Sequence, residues 1–312
     1  MDPGPRAAPP ATSRGPVALA ALAAVLGVLV LGAGLFYRSP EPPAALFLTP
    51  SGSPSSAAPP LLHFAEASAF LARQPGFLGI VVRDRRTDAV WRAGATDHLT
   101  WAASTVKLAM VVSLLEQVRV GQVTLDAKAR QQIADVLNWS SDAAADALWN
   151  RYDGEQMVPR FTGKYGMAKL AFQAGFPRRW GHMKCTPDDL LGLVGYILDK
   201  ALPEDRSFLV DSMRAVGPVQ RWGVWGAGPQ QQPGNMDGWS VEPDGGSRHW
   251  VADSVGFAGP DERYLVAVMY HLPTSAGVAA AGIHAGAHAV SDLVATLFGA
   301  PVPAAVSVPD HD

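Results

Sequence analysis

A long helical stretch, from about Ser104 to Ala215, lies between two strand signals on its N-terminal side and three on its C-terminal side. That order limits the fold more than any other feature of the chain. A short helix, about His63 to Arg73, precedes strand candidates at Leu78–Asp84 and Ala89–Ala93, and the polar Arg85–Asp88 between them reads as a hairpin turn. The helical stretch is punctuated at Gly121, Gly154, Gly175–Pro177 and Pro203. Strand character returns at Met236–Val241, His249–Phe257 and Tyr264–Tyr270, and an Ala-rich helix from about Gly282 to Phe298 closes the pattern. Strands split by an insertion and reunited in one sheet predict a mixed α/β (α+β) fold. Its expected form is a five-stranded antiparallel sheet flanked by helices, plus an all-helical subdomain.

Only one part of the chain can fold this way. Residues 16–36, PVALAALAAVLGVLVLGAGLF, carry no charged side chain. At about 1.5 Å per residue such a run can cross a hydrocarbon core of roughly 30 Å. Arg6 and Arg14 precede it, which predicts a cytoplasmic segment 1–15, an anchor at 16–37 and an extracytoplasmic remainder in the cell membrane. The alternative is a cleaved signal peptide, although the run is long for one and no A-x-A site stands out before Tyr37. Residues 38–61 are rich in Pro, Ser and Ala and read as an extended linker. The folded domain is expected at 62–300, and the prolines at 301, 303 and 309 mark 301–312 as a loose, disordered tail.

Charge and cysteine usage exclude several classes. Lys and Arg total 25 against 28 Asp and Glu, a net charge of −3, with no basic stripe for nucleic acid. Cys185 is the only cysteine, which excludes an intramolecular disulfide, a Cys-rich metal site and an acylated cysteine near the membrane. His284 and His288 are four apart on the closing helix without a third ligand, so no metal and no cofactor is expected.

Three short segments carry chemistry. Ser104-Thr-Val-Lys107 is an S-x-x-K at the start of an apolar helix, which puts Ser104 and Lys107 on one face, a turn apart. A serine hydroxyl needs a neighbouring base, and a lysine can serve where burial lowers its pKa. The helix N-terminus also offers free N–H groups to a developing oxyanion. Read as plain structure, the same tetrapeptide is a helix cap followed by a solvated lysine. Ser140-Ser141-Asp142-Ala-Ala-Ala-Asp146-Ala-Leu148 forms a second box, which could equally be a Ser/Asp cap on an Ala-rich helix. The third is Asn235-Met236-Asp237-Gly238-Trp239 with the neighbouring strand Ser247–Gly256, preceded by Gln220-Arg221-Trp222-Gly223-Val224.

In this order the boxes resemble those of the penicillin-recognising serine hydrolases, class A β-lactamases and related actinobacterial-type members above all, over about residues 64–299. The resemblance implies Ser104 as nucleophile, Lys107 as base and Ser140 as proton relay. It places Asp142 on the family's substrate-holding asparagine, and Met236, Asp237 and Gly238 on the K-T-G strand. Trp239 would share the oxyanion hole with the Ser104 amide, and Arg248 would meet a substrate carboxylate, as an arginine on that strand does in some relatives.

Departures from the pattern bear on activity. Met236 replaces the lysine that meets the carboxylate of penicillins or peptidoglycan stems. Asp142 puts a carboxylate near Lys107, which favours the protonated amine. At ~4 Å and an effective dielectric near 20, each change could matter by up to about 4 kcal/mol. No Asp or Glu lies between Glu155 and Asp188, where relatives carry the glutamate that activates the deacylating water. His182 lies in that stretch and could act as a base, or be an ordinary loop histidine. The helix after it should start at Thr186-Pro187. Two readings follow. One is a serine hydrolase forming an acyl-enzyme at Ser104 on a β-lactam, peptidoglycan peptide or ester, with weak or no β-lactam turnover. The other is a catalytically inactive cell-surface binding module of the same fold.

Overall fold

The computed structural model describes residues 62–244, 246–274 and 280–309. The predicted anchor 16–37 and the linker 38–61 lie outside the described residues. No helix among the described residues is long and apolar enough to cross a membrane.

The expected sheet is present. Its strands are β1 (Phe77–Asp84), β2 (Val90–Gly94), β6 (Gly234–Asp244), β7 (Ser247–Ala258) and β8 (Tyr264–His271), in the order β2-β1-β8-β7-β6. Every pairing is antiparallel. Strand β8 is central and buried at all eight positions, so its two faces serve two cores. Val266, Val268 and Tyr270 join Ile80 and Val82 under the terminal helices α1 (Phe64–Leu71) and α8 (Ala280–Phe298). Leu265, Ala267 and Met269 join Val81 in the larger core, shared with the helical insertion.

That insertion holds α2 (Val106–Arg119), α3 (Ala127–Trp139), α4 (Asp142–Arg151), α5 (Val158–Gly163), α6 (Pro187–Asp199) and α7 (Pro203–Arg214). Thr186 caps α6 in a full capping box with Asp189, and Pro187 sits in the first turn, as the sequence suggested. Helix α2 is buried at every position from Val106 to Leu114, which is why its apolar pattern is continuous.

Three features differ from expectation. Helix α2 begins at Val106, and Ser104 stands before it in a 3₁₀ turn, Ala103–Thr105. A second sheet is present, made of β3 (Thr100–Trp101), β4 (Ala171–Phe172) and β5 (Met183–Cys185) in the order β3-β5-β4. Strands of two or three residues are too short to show a period of two. The stretch expected to trail loosely is packed at 301–309: Ala304 is buried and donates its N–H to Asp292 at 2.7 Å, and Ser307 N–H reaches the Arg221 carbonyl at 3.0 Å. Val306 and Val308 lie on the core under α8, and this burial outweighs the loosening effect of the prolines.

Candidate active site

The 3₁₀ turn that carries Ser104 meets β6 head on. A β-carbon on Gly238 would stand 2.9 Å from the backbone nitrogens of both Ser104 and Thr105, inside any normal contact distance. Only a glycine lets the strand approach the start of the helix this closely. Ala103, the residue before Ser104, has φ = 44°, a left-handed conformation that costs an L-residue energy and that clusters at functional sites. Ser104 is buried but opens into a cavity of about 240 Å³ shared with Asp142, Asp146, Arg179, Trp180, His182, Trp239 and Glu242. A neighbouring cleft joins Ser104 to Ser140, Asp142, Trp239, Ser240 and Arg248.

Lys107 lies one helical turn beyond Ser104 and is 0% exposed. Its Nζ donates to the Ser140 carbonyl at 2.6 Å, contacts Ser140 Oγ at 3.4 Å and forms a short ion pair with Asp142. The indole of Trp180 covers it, with Nζ 4.3 Å from the ring centroid. Burial pushes the Lys107 ammonium below the ordinary lysine range, while Asp142 and then Asp146 hold it up. Burial wins, so the lysine is easier to deprotonate than a free one despite its carboxylate neighbour.

Ser140 ends α3 in a left-handed conformation, φ = 56°, which turns its carbonyl toward Lys107. Ser141 is the cap of α4, its Oγ accepting from Ala144 N–H at 3.2 Å. The helix cap Ser141 and Ser140, which contacts Lys107, are therefore adjacent residues. Asp142 opens α4 and reaches Lys107 from an exposed position.

The third box divides between the two faces of β6. Gly238 meets the Ser104 turn and Trp239 lines the cavity, its ring edge-on to Trp222. Met236 is 1% exposed and belongs to the large core. Asp237 is 0% exposed, its Oδ1 accepting from Asn235 Nδ2 at 2.7 Å, and burial pushes its carboxyl well above the usual range. Neither side chain lines the cleft. Arg248 is exposed at the cleft rim, one guanidinium nitrogen 3.3 Å from the Val241 carbonyl. Among the described residues no group of three or more His, Cys, Asp or Glu could hold a metal ion.

Sequence reasoning passed over two neighbours of Lys107 and Ser104, Asp146 and Glu242. Asp146 accepts from Trp180 Nε1 at 2.8 Å and from Arg179, and so holds the indole in place. Glu242 faces the cavity from β6, and burial raises its pKa while Ser240, His182 and Arg248 oppose that. The available signal was the Asp in the Ala-rich helix, which stands one turn after Asp142 on the same face.

Comparison with known proteins agrees with this geometry. A family model described as "Beta-lactamase enzyme family" matches residues 64–141, from α1 through the Ser104 turn to Ser141. A solved β-lactamase from Burkholderia vietnamiensis superposes with a TM-score of 0.62 at 19% identity, over 75% of this chain and 94% of that one. An ancestral class A β-lactamase gives 0.59 at 17% identity, over 75% and 98%. The Mycobacterium tuberculosis (strain H37Rv) protein named "Putative lipoprotein LppW" is 27% identical over 260 residues, 80% of this chain and 79% of that protein. The same relationship holds for the protein of that name from Mycobacterium bovis.

Proposed function

For a chain that is β-lactamase-related in family and has the class A β-lactamase fold, we propose a serine hydrolase that forms an acyl-enzyme at Ser104. The observation that carries this reading is the junction of the Ser104 turn with Gly238: a strained turn, a buried serine and a closely approaching strand amide on one cavity. Lys107 removes the Ser104 proton as the hydroxyl attacks an acyl carbon. The N–H groups of Ser104 and Trp239 receive the developing oxyanion. Ser140 passes the proton to the leaving group.

The substrate is a small acyl compound, peptidoglycan-derived, β-lactam or ester. Met236 is buried and apolar where relatives bring a lysine, which leaves Arg248 as the cation for a substrate carboxylate. Weak or absent β-lactam turnover follows. The domain acts outside the cytoplasm, tethered by residues 16–37, and nucleic acid is not a partner. The lipoprotein name of the mycobacterial relative supports an envelope location. A second reading, a silent binding module, is favoured by one contact pattern: Lys107 Nζ is engaged by Ser140, Asp142 and Trp180, and Ser104 is not among its hydrogen-bond partners.

Gel labelling of the full-length protein with a fluorescent penicillin, beside Ser104→Ala, tests penicillin recognition. Signal that disappears in the variant supports acylation. Without signal, hydrolysis of activated esters decides between a non-penicillin hydrolase and the silent module.

A further inference from the structure

An acyl-enzyme is of use only if it can be released, and the stretch that carries the deacylating glutamate in relatives holds none here. We propose that His182 Nε2 is the general base that activates the deacylating water, an inference that rests on Ser104 acylation. His182 ends the 3₁₀ turn Trp180–His182, which packs against the Ser104 turn, and its side chain lines the same cavity as Ser104. Its Nδ1 lies 2.9 Å from the Pro177 carbonyl. A carbonyl can only accept, so Nδ1 carries the proton, and in the neutral ring Nε2 is the open lone pair. The ring is further steadied by Phe176, 5.4 Å away between centroids. This is the arrangement a base needs: one nitrogen pinned by a carbonyl, the other without a hydrogen-bond partner among the described residues, on a residue that lines the Ser104 cavity.

Two other acidic groups of the cavity are occupied. Asp142 is paired with Lys107, and Asp146 accepts from both Arg179 and Trp180. Glu242 also faces the cavity from β6 and is the rival base that the Glu242→Gln variant tests. The water oxygen bonds to the carbonyl carbon of the Ser104 ester as His182 Nε2 takes a water proton. Collapse of the tetrahedral adduct breaks the bond between Ser104 Oγ and that carbon. The proton passes from His182 to Ser104 Oγ, releasing a carboxylic acid and restoring neutral imidazole.

Pre-steady-state hydrolysis of p-nitrophenyl acetate by the full-length protein separates the two half-reactions, because acylation gives the burst and deacylation the steady rate. In His182→Asn, whose amide can keep the Pro177 contact without a base, the burst should persist and the steady rate should fall by about 100-fold or more. Added imidazole should restore turnover in His182→Ala. An intact burst with an unchanged steady rate in both variants would overturn the assignment. So would a comparable slowing confined to Glu242→Gln. A burst absent from the parent protein, or surviving Ser104→Ala, would instead overturn the acyl-enzyme reading on which the assignment rests.

Discussion

The Nζ of Lys107 sits 4.3 Å from the centre of the Trp180 ring, and the indole N–H of Trp180 is tied at 2.8 Å to Asp146. An aromatic ring held by a carboxylate thus covers one side of the lysine. It keeps water from the amine, and that burial lowers the lysine's proton affinity. In Trp180→Ala, water should reach Lys107 and its pKa should move back up toward that of free lysine. Acylation at neutral pH should slow, and the acid limb of its pH profile should shift alkaline. The truncation should also cost about 3–5 kcal/mol of stability, measurable by urea unfolding.

Asp142 acts on the same amine in the opposite direction. Its charge raises the Lys107 pKa against the effect of burial. Asp142→Asn should therefore lower that pKa further and move the acid limb of acylation to lower pH. Stopped-flow acylation between pH 5 and 10 checks the sign; an alkaline shift contradicts it.

Gly238 sets the gap between β6 and the Ser104 turn. Gly238→Ala would drive a methyl into the backbone nitrogens of Ser104 and Thr105 at 2.9 Å, and backbone cannot swing aside as a flexible side chain can. The strand must retreat and widen the proposed oxyanion hole. The expected result is a loss of about 10²-fold or more in acylation, of the size of a lost oxyanion donor, with a stability cost of about 1–3 kcal/mol. Calorimetry beside burst kinetics separates the two effects.

Acid should weaken the fold through His271. Its ring is 5% exposed, lies 3.0 Å from His98 between Nδ1 and Nε2, and packs against His249. Burial, with these two histidines, pushes its pKa down to about 4. The unfolded chain binds this proton near pH 6.5 and the folded chain only near 4, so the stabilisation is complete above 6.5 and is lost as pH falls between these values. At pH 5 the loss from this group is roughly 2 kcal/mol. Urea midpoints at pH 7 and pH 5 should differ by more in the parent protein than in His271→Gln.

Much of this was legible in the sequence. The five strands, the helical insertion and the Thr186-Pro187 helix start follow from period, punctuation and cap chemistry, which are local. The Ser104, Ser140 and Gly238 segments do converge on one cavity. What the sequence did not reveal depends on tertiary contact. Met236 and Asp237 adjoin Gly238 in the chain, yet both lie buried away from the cleft, because strand alternation and packing decide which side chain faces it. Trp180 and Glu242 carry no motif; each matters through what it touches. The opposing influences on Lys107 could be named from the sequence, but only burial in the fold decides which prevails.

The most direct test is the mass of the protein after reaction. The full-length protein would be treated with benzylpenicillin and, separately, with p-nitrophenyl acetate, quenched in acid and mapped by peptide mass spectrometry. The account predicts a single acyl adduct on the peptide containing Ser104 with at least one reagent, absent in Ser104→Ala. No adduct with either reagent, or an adduct that survives in Ser104→Ala, would contradict it.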